Sequence, residues 1–327
     1  MMQSAQETLL PVWLLSPWAV ARSAADLAHL TRRTRMRIGL FLPSVSPLAT
    51  PAFLEACGEA AEEAGIQSLW VGEHVVFVDE YESRYPYADD GRLGLPAESG
   101  MLGLFETLTY LAACTNELRL GTAVCLVPQR NPVYTAKSVS TLDWLSGGRV
   151  DFGIGVGWLR EEFDALDVPF EQRGARTDEY VEVMRALWRD EVSTYEGEHY
   201  TLPACRMFPK PVQTPNPPVY VGGETDVAIR RVARLGDGWH GFNHTPASAA
   251  ECVARLDRAL ADAGRSRESV DVTVCSYLQP VEPAMLPAYR DAGVQQLVLT
   301  AFAGDPAGIR ETVLRLGDEY VGAASAL

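Results

Sequence analysis

The sequence predicts an α/β protein folded as a (β/α)8 TIM barrel, and three observations carry this prediction. From Arg37 onward, apolar strand-like runs alternate with helix-like segments, and eight such strand–helix units can be counted. Several of the strand segments are continuous apolar runs, which is typical of parallel strands buried on both faces. Eight units in about 285 residues also match the usual size of a closed eight-stranded barrel.

Short apolar runs bounded by turn residues predict the strands, and capping residues separate the helices from them. The predicted strands cover 37–43, 67–74, 118–128, 149–157, 217–223, 238–242, 270–278 and 295–302. The predicted helices cover 50–65, 104–115, 131–147, 177–190, 225–236, 246–264, 287–293 and 306–320. A doubly wound open sheet is the competing fold, but its first turn often carries Gly-x-Gly-x-x-Gly, whereas the first turn here has no glycine.

Capping residues give the clearest helix boundaries. Thr50 is suited to the N-cap of the first helix, which has a proline in its first turn and ends near Gly65. Asn131, also followed by proline, opens the third helix. Thr177 or Asp178 is the predicted N-cap of the fourth helix.

Two long segments interrupt the strand–helix alternation. Residues 77–103 follow the second strand and contain three tyrosines, and residues 195–216 lie between the fourth helix and the fifth strand. Long loops in compact domains are usually functional lids or disordered segments. We therefore expect 77–103 to pack as a lid at the C-terminal face of the barrel, and 195–216 to include a small hairpin near 197–202.

Composition and charge narrow the class of function. The 327 residues are 47% hydrophobic, and 43 acidic against 28 basic residues give a formal net charge of -15. A surface of this sign repels phosphate backbones and anionic lipids, so neither nucleic-acid binding nor stable membrane association is expected. The six cysteines form no Cys-x-x-Cys pair, which disfavours a zinc site or a disulfide framework and indicates a reducing, cytoplasmic location.

The N-terminal segment, residues 1–35, is predicted to be an extension of the barrel domain at 36–327. Its apolar run at 9–20 contains two prolines, lacks a preceding positive charge and is too short to span a bilayer. We expect an unstructured or loosely packed extension, with Met36 as an alternative start. A weak membrane-surface anchor is the other interpretation.

The second strand ends on Glu73 and His74, which are the best acid/base candidates in the chain. Active sites of such barrels lie at the C-terminal ends of the strands, so this pair is expected at the barrel mouth. Histidine titrates near neutrality, and a neighbouring carboxylate can raise its pKa. The alternative interpretation is a satisfied salt bridge that closes the barrel.

Two strand ends are rich in glycine and open onto helices. Gly155 and Gly157 follow the fourth strand, and Gly222 and Gly223 follow the fifth. Glycine lets backbone N–H groups approach a phosphate closely, so these turns are candidate phosphate sites. Tight strand-to-helix turn geometry explains the same glycines equally well.

Other charged clusters carry weaker hypotheses. His240 and His244 are four residues apart, but they lie on a strand end and a turn, and no metal site is expected there. Arg230, Arg231 and Arg234 of the fifth helix are expected to be solvated and not to bind phosphate.

The chain from Met36 to about residue 320 resembles the bacterial luciferase-like monooxygenase superfamily, and within it the actinobacterial branch of coenzyme F420-dependent oxidoreductases. Long collinear blocks carry the resemblance, namely 68–87, 118–163, 208–223 and 230–242. The resemblance implies a (β/α)8 barrel with a flavin or deazaflavin ring in its mouth. It also implies a bulge with a non-proline cis peptide after the third strand, which corresponds to Ala123 and Val124.

The resemblance assigns roles to several of the candidates. Glu73 would hydrogen-bond near the ring and His74 would donate a proton or stabilise charge, while the four glycines would hold the phosphate and tail of the cofactor. The implied reaction is hydride transfer between coenzyme F420 and a small organic substrate. The alternative is an FMN-dependent monooxygenase that uses reduced flavin and oxygen; a metal-independent hydrolase and a non-catalytic flavin-binding protein are more distant alternatives.

The substrate pocket and the assembly state are also implied. Tyr85 and Tyr87 of the lid and Trp158 after the fourth strand could stack on a substrate, although each could equally serve lid packing. Because Trp158 comes directly after the fourth strand, it is also expected to border the cofactor. Family members often pair as homodimers through helices near the second and third strands.

Overall fold

The computed structural model describes residues 35–96 and 98–327, so the predicted extension at 1–35 lies, apart from Arg35, outside the described residues. The strands are β1 Arg37–Phe41, β2 Ser68–Val71, β3 Arg119–Thr122, β4 Cys125–Leu126, β5 Val150–Gly155, β6 Ser193–Glu196, β7 Thr201–Cys205, β8 Val219–Gly222, β9 Gly238–Phe242, β10 Asp271–Cys275 and β11 Gln296–Thr300. The α-helices are α1 Pro51–Glu63, α2 Leu104–Cys114, α3 Pro132–Ser146, α4 Arg160–Ala165, α5 Arg173–Arg189, α6 Asp226–Leu235, α7 Pro246–Asp262, α8 Leu286–Asp291 and α9 Pro306–Ser325.

Eight parallel strands close into a ring, which confirms the predicted barrel and rules out the open sheet. The ring runs β1, β2, β3, β5, β8, β9, β10 and β11, and β11 pairs with β1 from Arg37 opposite Gln296 to Phe41 opposite Thr300. The short strand β4 continues the line of β3 after a two-residue interruption and pairs with the C-terminal end of β5. The helices pack outside the ring, as the alternation of the sequence requires.

Most element boundaries agree with the capping signals. The Thr50 side chain accepts a hydrogen bond from the N–H of Phe53 at 3.3 Å, and Asn131 accepts from Val133 at 3.0 Å. Gly147, which ends α3, has a left-handed backbone with φ of 70°. The hairpin is present as β6 and β7, and the carboxylate of Glu179 anchors its turn to α5 through backbone N–H groups.

The predicted start of the fourth helix is wrong. Helix α5 begins at Arg173, four residues before Thr177, and neither Thr177 nor Asp178 caps it. Thr177 is buried and its hydroxyl donates to the carbonyl of Arg173 at 2.8 Å, whereas the Asp178 carboxylate pairs with Arg231 on α6. The charged, glycine-containing sequence before Thr177 is atypical of a helix, and tertiary contacts override that local preference.

The interior of the barrel is filled below its mouth by Trp70. Its indole lies 4.7 Å from the imidazole of His240 in a stacked arrangement and 5.5 Å from the ring of Tyr220, and its Nε1 donates to Ser68 Oγ at 2.8 Å. Gly121 stands directly opposite Trp70 on β3, where a Cβ would collide with the indole. The aromatic layer therefore exists because the neighbouring strand carries no side chain at this level.

Within residues 35–96 and 98–327, no helix has both the length and the hydrophobicity needed to cross a bilayer.

Replacement of Gly121 by Ala is expected to destabilise the barrel by about 2–4 kcal/mol, because the new methyl group overlaps the buried indole of Trp70. The free energy of unfolding, measured in urea, reports the effect. Gly94→Ala is the matched control, since a Cβ at position 94 meets nothing within 4 Å and should change stability by less than about 0.5 kcal/mol. Equal stability of the two variants would contradict the packing argument.

Candidate active site at the barrel mouth

A cavity of about 590 Å³ opens at the C-terminal ends of the strands, in the size range of small-molecule and cofactor sites. Every site residue predicted from the sequence borders it, although from different walls. These residues are Glu73, His74, Tyr85, Tyr87, Ala123, Val124, Gly155, Gly157, Trp158, Gly222 and Gly223. The remaining lining is mostly apolar, with charged side chains at Arg173, Glu224 and Arg231, so the site suits a partly apolar small molecule.

The Glu73 carboxylate is occupied by the protein itself. One oxygen accepts from Arg130 Nε at 2.8 Å and is also bound by the Nη2 of that guanidinium, and the other accepts from the Leu126 N–H at 2.7 Å. The side chain is 3% exposed. Glu73 therefore fixes the segment that follows β3. Its contacts are those of a satisfied salt bridge, which was the alternative interpretation for this residue.

His74 points away from Glu73 and pairs with Glu162 of α4. Its Nδ1 lies 3.0 Å from Glu162 Oε2, and the same carboxylate accepts from the Gln129 side chain at 3.0 Å and from the Val75 N–H at 2.7 Å. Glu162 is fully buried. Desolvation alone would raise the pKa of Glu162, but the bonds from His74, Gln129 and Val75 outweigh it and lower that pKa.

An ionised Glu162 fixes the orientation of the His74 ring. A carboxylate without a proton can only accept hydrogen bonds, so Nδ1 carries the hydrogen. The Nε2 atom is then the ring nitrogen left for a ligand in the cavity that His74 borders. This arrangement of a buried carboxylate, an imidazole and an apolar cavity can deliver or accept one proton.

The peptide between Ala123 and Val124 is cis, which confirms the expectation drawn from the family resemblance. The Val124 side chain fills the space left by two glycines, because a Cβ at Gly155 or at Gly222 would meet its methyl groups. Gly157 and Gly223 have φ of 78° and 104°, which other residues rarely adopt. Turn and packing geometry thus account for all four glycines without a phosphate.

Aromatic side chains form the outer wall of the cavity. Trp158 lies at its centre, with ring centroids 5.8 Å from His74, 5.3 Å from Tyr85 and 5.8 Å from Tyr81. Tyr87 continues the wall and packs 4.8 Å from Phe242. Tyr85, Tyr87 and Trp158 therefore pack on one another and also face the cavity, so lid packing and ligand stacking are compatible.

Hydrogen bonds hold the lid at 77–103 to the barrel at several points, including a β-bridge between Val45 and Met101. On one side, Glu161 of α4 accepts from the N–H groups of Glu82 at 2.7 Å and Ser83 at 3.2 Å. On the other side, the Tyr87 hydroxyl donates to Glu224 at 3.2 Å. Burial, followed by the nearby Glu224 carboxylate, raises the pKa of Tyr87 well above its usual value, so the phenol stays a neutral donor.

His240 borders the cavity floor and has no hydrogen-bond partner in the described part of the chain. The residue is 1% exposed, and neither Nδ1 nor Nε2 is bonded. Burial lowers its pKa from 6.5 to about 3, so the ring is neutral at physiological pH. The described residues contain no group of three or more His, Cys, Asp or Glu side chains that could hold a metal ion.

The arginines of α6 do not all behave as expected. Arg230 and Arg234 are exposed, but Arg231 is 6% exposed, borders the cavity and pairs with Asp178 at 2.5 Å. The expectation that Arg231 is solvated is therefore wrong, because the early start of α5 brings Asp178 against α6. Arg173, at the start of α5, also borders the cavity and donates to the Gly157 carbonyl at 3.1 Å.

Sequence reasoning missed Glu162, Arg130 and Arg173 as parts of the site. Glu162 carried a usable signal, since it lies between Leu159 and Phe163 on the apolar side of a short helix, where an unpaired carboxylate would be costly. Arg130 follows strand β4 and could have been placed at the mouth by the same topology rule as His74.

Comparison with known proteins assigns the chain to one family. The sequence profile of the luciferase-like monooxygenase family matches residues 36–281. Two uncharacterized proteins of Mycobacterium tuberculosis, Rv0940c and Rv0953c, are 34% and 37% identical over 208 and 205 residues, covering 64% and 62% of this chain and 71% of each relative. An FMNH(2)-dependent dimethylsulfone monooxygenase of Pseudomonas putida is 27% identical over 171 residues, 51% of this chain and 46% of that enzyme.

Solved structures share the fold at lower identity. The coenzyme F420 dependent tetrahydromethanopterin reductase from Methanopyrus kandleri has a TM-score of 0.71 at 17% identity, covering 89% of this chain and 100% of that chain. The monooxygenase RslO1 from Streptomyces bottropensis also has a TM-score of 0.71, at 21% identity, covering 88% and 99%.

Glu73→Gln is expected to destabilise the protein by about 2–3 kcal/mol, because it leaves the Arg130 guanidinium without its buried counter-charge. Urea unfolding measures the change. Glu63→Gln is the matched control, since Glu63 pairs with Arg310 at the surface and should cost less than about 1 kcal/mol. If both variants lost the same stability, Glu73 would not hold the segment after β3.

Acidification should destabilise the wild type through His240. The unfolded chain binds a proton on this imidazole near pH 6.5, whereas the folded chain binds it only near pH 3, so folding stability falls as the pH drops through that window. His240→Phe removes this contribution and should lose less stability between pH 7 and pH 4. Unfolding free energies of both proteins at the two pH values test the expectation, and parallel losses would refute it.

Proposed function

Because the chain belongs to the luciferase-like monooxygenase family, we propose that it is an oxidoreductase that transfers a hydride between coenzyme F420 and a small organic substrate at the barrel mouth. The observation that carries the proposal is the His74–Glu162 pair at the edge of a largely apolar cavity. Reduction of a carbonyl or of an activated double bond needs one hydride and one proton, and this pair is suited to supply the proton.

The residues around the cavity fit a flat tricyclic ring. Val124, held between two glycine backbones, offers an apolar surface on the inner side, and Trp158 and Tyr85 offer aromatic faces on the outer side. Arg173 is a charged group at one end of the cavity that could neutralise an anionic tail. Glu73 would act as a positioning residue that keeps the cis peptide in place, because both of its oxygens are already bonded.

When bound, F420 would supply or take up a hydride, and with it two electrons, at carbon 5 of its ring. His74 would hold the accompanying proton on Nε2, within reach of a substrate oxygen or carbon in the cavity. Glu162 would keep the ring in the productive tautomer and stabilise the charged imidazolium before the proton leaves. The aromatic wall and the lid would exclude water from the reacting groups.

FMN is the alternative cofactor, and the likeness to the FMNH(2)-dependent enzyme of Pseudomonas putida favours it. The same cavity would then serve a monooxygenase that uses reduced flavin and oxygen. The likeness to the F420 dependent reductase in fold supports the first proposal to the same degree. The His74–Glu162 proton site decides our preference, because proton delivery is an integral part of carbonyl or alkene reduction.

We further propose that the protein forms a homodimer. Two large side chains of α3 are exposed, Tyr134 by 80% and Leu145 by 63%, and a partner subunit would cover them. Light scattering in solution measures the oligomeric state.

Separate titrations of the apoprotein with F420 and with FMN, followed by absorbance, test the cofactor. We expect F420 to bind at least about tenfold more tightly, a difference of about 1.4 kcal/mol. Tighter binding of FMN, together with oxygen-dependent substrate turnover, would transfer the proposal to the monooxygenase alternative.

His74→Asn should lower single-turnover oxidation of reduced F420 by a panel of ketones and cyclic enones by about 10²-fold or more, because the proton donor is lost. The dissociation constant for F420 should stay within about threefold of wild type, since the cavity keeps its shape. His199→Asn, in the hairpin and outside the cavity lining, controls for histidine loss. Near-normal turnover in a folded His74 variant would remove His74 from the reaction.

A further inference from the structure

Among the buried polar side chains of the described residues, His240 alone has two unpaired polar atoms, whereas Ser44, which also borders the cavity, has one. Trp70 Nε1 donates to Ser68, the Tyr220 hydroxyl donates to Asp271 at 2.8 Å, and Thr273 donates to Gln296 at 3.2 Å. His244, also buried, keeps a bond between Nδ1 and Ser248 at 3.0 Å. Buried polar groups are nearly always bonded, because an unpaired one loses its hydration without compensation. Both nitrogens of His240 are nevertheless unpaired.

The position of His240 places its two unpaired ring nitrogens beside the cavity. The residue borders the cavity and is paired in register with Gly222 of β8, which also borders it and carries no side chain beside the imidazole. One face of the ring is covered by Trp70. A partner must therefore approach the edge of the imidazole, in its plane, from the floor of the cavity.

We infer that His240 is a ligand-binding residue, whose imidazole hydrogen-bonds the imide edge of a planar heterocycle seated at the floor of the barrel mouth. This inference rests on the proposed function, because F420 and FMN share such an edge, with carbonyl oxygens flanking an N–H.

The chemistry of the imidazole selects this class of ligand. The ring is neutral, since burial lowers its pKa to about 3, so one nitrogen donates and the other accepts. Depending on the tautomer, either a donor or an acceptor faces the cavity, and an imide edge can meet both. A carboxylate or a fully ionised phosphate would offer only acceptors, and the neutral imidazole supplies no positive charge to compensate theirs. His240 is thus expected to contribute to binding and positioning and not to proton transfer.

The test compares substitutions of two rings that both pack against Trp70. His240→Phe keeps the stacked ring and removes both nitrogens, so affinity for the cofactor should fall by about tenfold. The melting temperature of the apoprotein should stay the same or rise by a few degrees, because two unpaired buried nitrogens are removed. If His240 served only to pack the barrel interior, cofactor affinity would stay unchanged and the melting temperature would fall.

Tyr220→Phe is the matched control. Tyr220 also packs against Trp70 but does not border the cavity, and its hydroxyl donates to Asp271. This variant should lower the melting temperature and leave the dissociation constants for F420 and FMN unchanged.

The outcomes separate this inference from the proposed function. Wild-type binding of F420 or FMN with tenfold weaker binding by His240→Phe supports both. Equal binding by wild type and His240→Phe overturns the role of His240 and leaves the proposed function intact. Binding of neither cofactor by wild type overturns the proposed function, and this inference with it. Imidazole ¹⁵N resonances of wild-type protein, recorded with and without cofactor, give the same decision if the variant does not fold, since a direct hydrogen bond must shift one His240 signal.

Discussion

The structure depends on one packing constraint, the placement of a tryptophan inside a closed ring of eight strands. Trp70 fits because Gly121 on the next strand has no side chain, and the indole packs against the rings of Tyr220 and His240. This layer closes the barrel below the mouth, so the cavity begins directly above it. The same layer buries an imidazole that would otherwise be hydrated, and so creates the unpaired polar group at the cavity floor.

A second constraint is the cost of burying carboxylates at the mouth, and the protein meets it with separate sets of donors. Glu73 is held by Arg130 and by the backbone after β3, whereas Glu162 is held by His74, Gln129 and the backbone after β2. Two residues that are adjacent in sequence thus serve different parts of the site. Glu73 maintains the wall that contains the cis peptide, and His74 presents its free ring nitrogen to the ligand space.

These observations also show which features sequence reasoning can reach. The eight strands, their parallel arrangement and the position of His74 at the mouth follow from local patterns and one topological rule, and the structure confirms them. The partner of His74 does not follow, because Glu162 is 88 residues away and reaches it only after two strands and their helices are in place. The burial of Arg231 does not follow from the sequence for a similar reason, since its partner Asp178 is 53 residues away in the chain.

Helix α4 joins the lid to the proton site through two consecutive carboxylates. Glu161 accepts hydrogen bonds from the lid backbone at Glu82 and Ser83, while the next residue, Glu162, accepts from His74. Glu162 is fully buried and also accepts from the Gln129 side chain and from the N–H groups of Val75 and Val76. These donors offset the cost of removing its charge from water. One short helix, Arg160–Ala165, therefore carries both a lid contact and the carboxylate that orients the His74 ring.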